Sequence, residues 1–242
     1  MHKSIVTDRW NLWFLVLALV FLLPAGCEFP RDPRGTLDEV RNGTMRVGIV
    51  DNGPWTRIEG GRASGVEVEL LKDFADELGA ETSFMAGTTP ELLEVARQGE
   101  MDVLIGGFTT TSPGVSEGKE AGVTSSYLTT RFLVGVQPGT PAFDDPSGRE
   151  IAVERIDATA ASLKEEGAVP VLVRDPSSTE MPVAAYGWQL EAWGLETTGV
   201  ELPKDEHVMA VPLGENGWLV EIERFLRANR EEAKELLRKE TS

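Results

Sequence analysis

Between Met45 and Ile105 the chain switches repeatedly between two hydrophobic periods, and this restricts its fold more than any other feature. Met45 to Val50 (MRVGIV) is short and apolar, as a buried strand is. Asp51-Asn52-Gly53-Pro54 breaks it, Trp55 follows in the loop, and Gly60-Gly61 marks a turn. Leu70, Leu71, Phe74 and Leu78 recur at helical spacing opposite Lys72, Asp73, Asp76 and Glu77, and Gly79 stops that helix. Glu81 to Met85 predicts a second strand. Thr89-Pro90-Glu91 opens another helix with a capping hydroxyl, a proline in the first turn and an acid at the positive end of the dipole. This helix runs to Gln98 and stops at Gly99. Met101 to Ile105 (MDVLI) is a third strand, leading into Gly106-Gly107-Phe108-Thr109. Strand, helix, strand, helix, strand implies an α/β fold with a parallel sheet.

The N-terminus follows different rules. Lys3 and Arg9 flank the start, and Leu12 to Leu23 is then apolar without a break. Twelve residues are too few to cross a hydrocarbon core, which takes about 20 in a helix. A short apolar run behind a basic start is a secretory signal. It ends in Leu23-Pro24-Ala25-Gly26-Cys27, which resembles the lipobox of bacterial lipoproteins, although Pro24 stands where leucine is usual. Cys27 is the only cysteine, so no internal disulfide competes for it. The expectation is a lipoprotein signal peptide over residues 1–27, with Cys27 lipidated; a plain secreted chain or an N-terminal membrane anchor is the alternative. Residues 28–44 read as a Pro- and charge-rich tether and a short helix capped by Thr36 or Asp38.

The net charge of −17 excludes the partners that need clustered cations. No Lys/Arg cluster is present to displace counterions from nucleic acid or to adsorb on anionic lipid. Removing residues 1–27 leaves 21 basic against 39 acidic residues.

Three landmarks over residues 46–138 carry a resemblance. Val47-Gly48-Ile49 is followed by a loop with Pro54-Trp55. Gly65-Val66-Glu67-Val68-Glu69-Leu70 opens a helix. Asp102-Val103-Leu104-Ile105-Gly106-Gly107 leads to Thr109 and Thr110, and later to Ser126-Tyr127. In this order they resemble the first lobe of the bacterial extracellular solute-binding proteins of family 3, the polar-amino-acid-binding type. Val66 and Phe74 depart from the family's usual residues. The resemblance implies a two-lobed periplasmic-binding-protein-like fold, with lobe 1 over 45–130 and lobe 2 over 131–207. Residues 208–242 would be a return strand and a C-terminal helix packed on lobe 1, with Trp218, Ile222, Phe225 and Leu226 on one face. The hinge strands would be Arg131–Val136 and His207–Val211. Lobe 2 would hold strands at 148–153, 169–173 and 183–185 and a helix from Asp157 to Glu165, short for this family.

Cleft residues follow from the same resemblance, each beside a plainer reading. Trp55 stacks on ligand or caps a surface. Gly107 lets backbone approach ligand or simply ends a strand, with Thr109 and Thr110 as hydroxyl and amide donors. Glu67 faces the cleft or serves the helix dipole. Tyr127 touches ligand or serves the hinge. Thr159 sits near a helix start, where amides bind an anion or are merely capped. Asp51 and Phe108 complete the set. No cofactor and no metal are expected. His207 alone cannot build a His-rich metal site, and no Gly-X-Ser-X-Gly motif occurs.

The function expected is capture of a small polar solute, as a monomeric, membrane-anchored extracytoplasmic protein serving an ABC-type permease rather than as an enzyme. A ligand sensor for a membrane receptor and an enzyme like the cyclohexadienyl dehydratases are the alternatives. Binding of an amino acid in this family takes an Arg for the carboxylate and an Asp for the ammonium. Thr109 to Ser116 contains no Arg, and Val183 to Trp188 contains no acid. A solute other than a standard α-amino acid, held by Trp55, Tyr186 and Trp188, is therefore expected, unless Arg131 or Lys119 replaces the missing Arg.

Overall fold

The computed structural model describes residues 32–154 and 158–240. The signal segment, Cys27 and the first part of the tether lie outside these residues, as does Asp157, the expected start of a lobe-2 helix. In chain order the first half contains α1 (Thr36–Val40), β1 (Thr44–Ile49), β2 (Arg57–Glu59), β3 (Arg62–Ser64), α2 (Val66–Leu78), β4 (Glu81–Ala86), α3 (Thr89–Arg97), β5 (Val103–Ile105) and β6 (Gly122–Val123). The second contains β7 (Leu128–Val136), β8 (Glu150–Val153), α4 (Ala158–Glu165), β9 (Val169–Leu172), β10 (Val183–Tyr186), α5 (Gly187–Ala192) and β11 (Glu196–His207). The chain ends with β12 (Ala210–Val211), α6 (Asn216–Ala228) and α7 (Arg230–Lys239). This is a mixed α/β fold with two five-stranded sheets, of the two-lobed periplasmic-binding-protein type.

The first sheet has the order β4-β1-β5-β12-β6. β1 runs parallel to β4 and β5, but β12 is antiparallel to both β5 and β6. The sheet is thus mixed rather than parallel, because its closing strand arrives from the second lobe in the opposite direction. Both faces are covered. On one, Phe74 of α2 packs on Trp218 and Phe225 of α6 at centroid distances of 5.5 and 4.8 Å, above Val47 and Ile49. On the other, Leu92 and Leu93 of α3 meet Met101, Leu104 and Phe108. Each such buried large side chain contributes about 1.5–3 kcal/mol.

Local details differ from the sequence-based expectations for identifiable reasons. α3 is capped by Thr88, not Thr89; Glu91 Oε2 accepts from the Thr88 amide at 2.9 Å and its hydroxyl at 2.7 Å. α1 starts after Gly35, because the Thr36 hydroxyl donates instead to Glu215 Oε2, 2.9 Å away at the start of α6.

The second sheet has the order β11-β7-β10-β8-β9. β7 is antiparallel to β10 and β11, while β8 is parallel to β9 and β10. Most of β11 escapes a reading by period. It is an edge strand with Gly199, Pro203 and two register irregularities, and only Val200, Leu202 and His207 are buried. It pairs with β7 from Glu196↔Val136 to His207↔Leu128. The Tyr127 amide then donates to the His207 carbonyl (3.0 Å) and the Thr124 amide to the Met209 carbonyl (3.0 Å), carrying the ladder into the first lobe. The second crossing strand therefore ends at His207; of the expected His207–Val211 segment, Val208 and Met209 lie outside any strand and Ala210–Val211 forms a separate strand in the first sheet.

Candidate functional site

The cleft floor is built where the first β-to-α connection meets the loop after β5. α2 has no side-chain cap; its first amides are satisfied by the preceding loop instead. Val66 N–H donates to the Pro54 carbonyl (3.2 Å) and Glu67 N–H to the Trp55 carbonyl (3.0 Å). This ties Pro54-Trp55 down to the helix. Thr56 Oγ1 donates to the Val50 carbonyl at 2.6 Å, closing the loop from the other side.

Glu67 organises the next layer. Its side chain is fully buried, and its carboxylate accepts three hydrogen bonds: Gly106 N–H (2.8 Å), Gly107 N–H (2.9 Å) and Tyr127 O–H (2.7 Å). Burial pushes its pKa above the usual carboxylate range, opposed by the Gly107 amide, the Tyr127 hydroxyl and the Gly106 amide. Burial likewise raises Tyr127, and the adjacent Glu67 charge adds to the rise. Asn52 Nδ2 donates to the Gly106 carbonyl at 2.8 Å. Gly107 takes the left-handed conformation (φ 64°) with Trp55 so close that a Cβ there would lie 2.3 Å from the indole. A side chain at 107 would therefore clash with Trp55 as well as strain the backbone.

A cleft of about 260 Å³ opens above this floor, lined from both lobes. The first lobe contributes Asn52, Trp55, Gly107, Thr109 and Thr111. The crossing strands contribute Phe132, Asp205 and His207. The second lobe contributes Glu154, Thr159, Tyr186, Gln189 and Trp193. His207 lies beneath Trp55, and its Nε2 is 2.8 Å from Thr130 Oγ1. Burial lowers its pKa to about 3, with a weaker opposing effect of the Gly107 backbone, so the imidazole is neutral at neutral pH. Its buried Nδ1 has no well-formed hydrogen bond.

The sequence-predicted residues divide sharply. Trp55, Gly107, Thr109 and Thr159 line the cleft. Glu67 and Tyr127 do not; they are buried beneath the floor, occupied with each other and with the Gly106–Gly107 amides. Phe108 belongs to the packing beneath α3. Asp51 is exposed outside the cleft, and the neighbouring Asn52 takes the lining position. Thr110 is exposed and does not line the cleft, and its amide donates to the Glu206 carbonyl (3.0 Å). Trp188 is also outside. It stacks on Tyr186 (4.2 Å, 10°) and packs against the first-lobe core, with its buried Nε1 lacking a partner, while Tyr186 lines the cleft. Neither Lys119 nor Arg131 lines the cleft.

Sequence reasoning missed Asn52, Thr111, Phe132, Glu154, Gln189, Trp193 and Asp205. From the sequence His207 is placed at a hinge, not in the cleft. Asp205 and His207 were hidden by the irregular β11, and Gln189 and Trp193 by α5, whose six residues are too few for a period. Phe132 and Trp193 carried the one usable signal, as aromatic residues within an expected hinge strand and after the expected strand at 183–185.

Comparison with known proteins agrees with this geometry. Residues 45–239 match the family of bacterial extracellular solute-binding proteins, family 3. A membrane-bound lytic murein transglycosylase F of Vibrio vulnificus (strain YJ016) is 28% identical over 109 residues, 44% of this chain and 20% of that protein. The enzyme of the same name from Maricaulis maris (strain MCS10) is 36% identical over 103 residues, 40% of this chain and 22% of that protein. The chain thus spans about a fifth of the length of these relatives. Among solved structures, an ancestral cationic amino acid solute binding protein superposes with a TM-score of 0.67 at 18% identity, covering 86% of this chain and 100% of its own. The unliganded, open L-cystine solute receptor of Neisseria gonorrhoeae gives 0.63 at 16% identity, covering 81% and 91%. With the matched segment spanning both lobes, the chain belongs to the bacterial extracellular solute-binding proteins, family 3.

Proposed function

We propose that this protein captures a small polar solute outside the cytoplasm and hands it to an ABC-type permease, acting as a monomer without catalysis and held at the membrane by lipid on Cys27. The observation that supports this best is a cleft lined from two lobes that are joined by two crossing strands. Such a cleft closes on a solute by bending at β7 and β11, and the closed form is what a permease distinguishes from the empty one. The floor residues are fixed by hydrogen bonds within lobe 1, so closure brings the lobe-2 wall onto a preformed surface.

The test is native mass spectrometry of the protein purified from its own extract. A discrete added mass that disappears on partial unfolding and refolding is expected. Protein that carries none, and that acquires none when returned to extract, would overturn the reading.

A second reading has one observation in its favour. The lytic transglycosylase relatives are about five times longer than the matched segment, so in them this kind of unit is attached to another activity. The binding unit would then act as a ligand sensor for a partner protein. A pull-down in which a membrane receptor, rather than a permease, is retained only by the loaded form would favour that role.

A further inference from the structure

We infer that Trp188 sets how tightly the cleft holds its solute from outside the cleft, as a latch behind the hinge that favours the open form; this deepens, and rests on, the reading of the cleft as a solute site. The first support is that one short segment serves both lobes. Leu190 of α5 and Trp193 just after it pack with Val183, Ala185 and Leu195 of the second lobe. Trp188, on the same helix, packs instead against the first-lobe core, which includes Ala233 and Leu237 of α7. There α5 and α7 lie against each other. Trp188 is thus a second-lobe residue whose apolar contact is made with the other lobe.

The second support is where this contact stands. Phe132 of β7 lines the cleft. Its neighbours Arg131 and Leu133, on the other face of the strand, line a cavity of about 210 Å³ together with Leu128, Trp188 and Leu237. Cleft and contact therefore lie on opposite sides of a crossing strand. A bend at β7 that brings the cleft walls together moves the surfaces behind it apart, so the contact is made with the cleft open and lost on closure. A solute that binds the closed form has its apparent affinity reduced by the small fraction of protein already closed, and the latch keeps that fraction small. The contact is also able to part. The adjoining cavity leaves it loosely packed, and the buried Trp188 Nε1 has no partner, so separation breaks no hydrogen bond of the indole and admits water to that donor.

Solute-free protein tests this, by paramagnetic relaxation from a nitroxide on Ser178→Cys, with Cys27→Ser leaving that single thiol. Ser178 is exposed close to Pro176, which lines the cleft. The relaxation is read at the amides of Thr109 and Thr111, which line the cleft from the first lobe. It falls with the inverse sixth power of distance, so a minor closed form dominates it. Trp188→Ala is expected to raise it about threefold or more, and Leu237→Ala to do the same from the first-lobe side with the Tyr186–Trp188 stack in place. Leu226→Ala removes a similarly buried first-lobe leucine that does not line the cavity, and is expected to leave the relaxation unchanged. A smaller rise in a folded Trp188→Ala or Leu237→Ala, or an equal rise in Leu226→Ala, overturns the latch and leaves solute capture standing. The native mass spectrum decides solute capture separately.

Discussion

The Trp55 indole lies on the His207 imidazole with ring centroids 3.8 Å apart and planes tilted by 32°. One residue comes from the loop after β1 and the other from the end of β11, 152 positions later, so the pair joins the cleft floor to a crossing strand. Trp55 is only 2% exposed, which makes it an element of the core as much as of the cleft. Trp55→Ala is therefore expected to lower stability by about 3–5 kcal/mol, through the cavity left beside His207 and Gly107. Urea denaturation measures this. A midpoint shift worth less than about 1 kcal/mol would mean that the ring is a surface platform with little part in folding.

The neutral state of His207 has a pH consequence. Its folded pKa, about 3, lies below the ordinary 6.5, so between those values the unfolded chain binds the proton more readily. The stabilisation is complete above pH 6.5 and is lost as pH falls toward 3, at about 1.4 kcal/mol per pH unit. His207→Gln keeps a polar partner for Thr130 and has no such titration. The stability difference between wild type and His207→Gln should narrow with this slope between pH 6.5 and 4. A difference constant across that range would show that the imidazole is protonated in the fold.

Glu67 works in the opposite sense. Its folded pKa is raised, so the folded state retains a proton that the unfolded chain has given up above about 4.5. The associated stability is present below 4.5 and is lost as pH rises through the folded pKa. Glu67→Gln should therefore gain on wild type as pH rises from 4 to 7, read as the difference in melting temperature. Glu67→Ala is expected to cost about 2–5 kcal/mol at any of these pH values, because it strands two buried amides.

Closure should be visible in solution. Addition of a bound solute is expected to reduce the radius of gyration in X-ray scattering, as the walls carrying Glu154 and Trp193 approach the floor carrying Trp55. Superimposable profiles with and without a solute of proven affinity would remove bending at β7 and β11 from the mechanism.

The anchor makes a separate prediction. Cys27→Ser should abolish labelling by a fatty-acid analogue and move the protein from the membrane to the soluble fraction. Retention of the serine variant on the membrane would make Leu12–Leu23 the anchor instead.

Much of the fold follows from sequence period alone. The apolar runs at β1 and β5, the helical face of Leu70, Leu71 and Phe74, and the Trp218–Ile222–Phe225 stripe each state locally which face is buried, because the side chains of regular elements repeat at fixed intervals. Trp55, Gly107, Thr109 and Thr159 enter as cleft residues through the resemblance to the family, and they stand after strands or near a helix start, where α/β sheets expose binding groups. The tertiary structure decided the rest. Whether Glu67 meets a solute or the chain's own amides depends on Gly106 and Gly107, 39 and 40 residues away. Whether Tyr186 or Trp188 lines the cleft depends on how a six-residue helix leaves β10. Asp205 reaches the cleft only because the irregular β11 pairs along β7. These are long-range choices among groups of equal local merit, and the folded chain settles them chiefly by burying polar groups such as Glu67 against a partner.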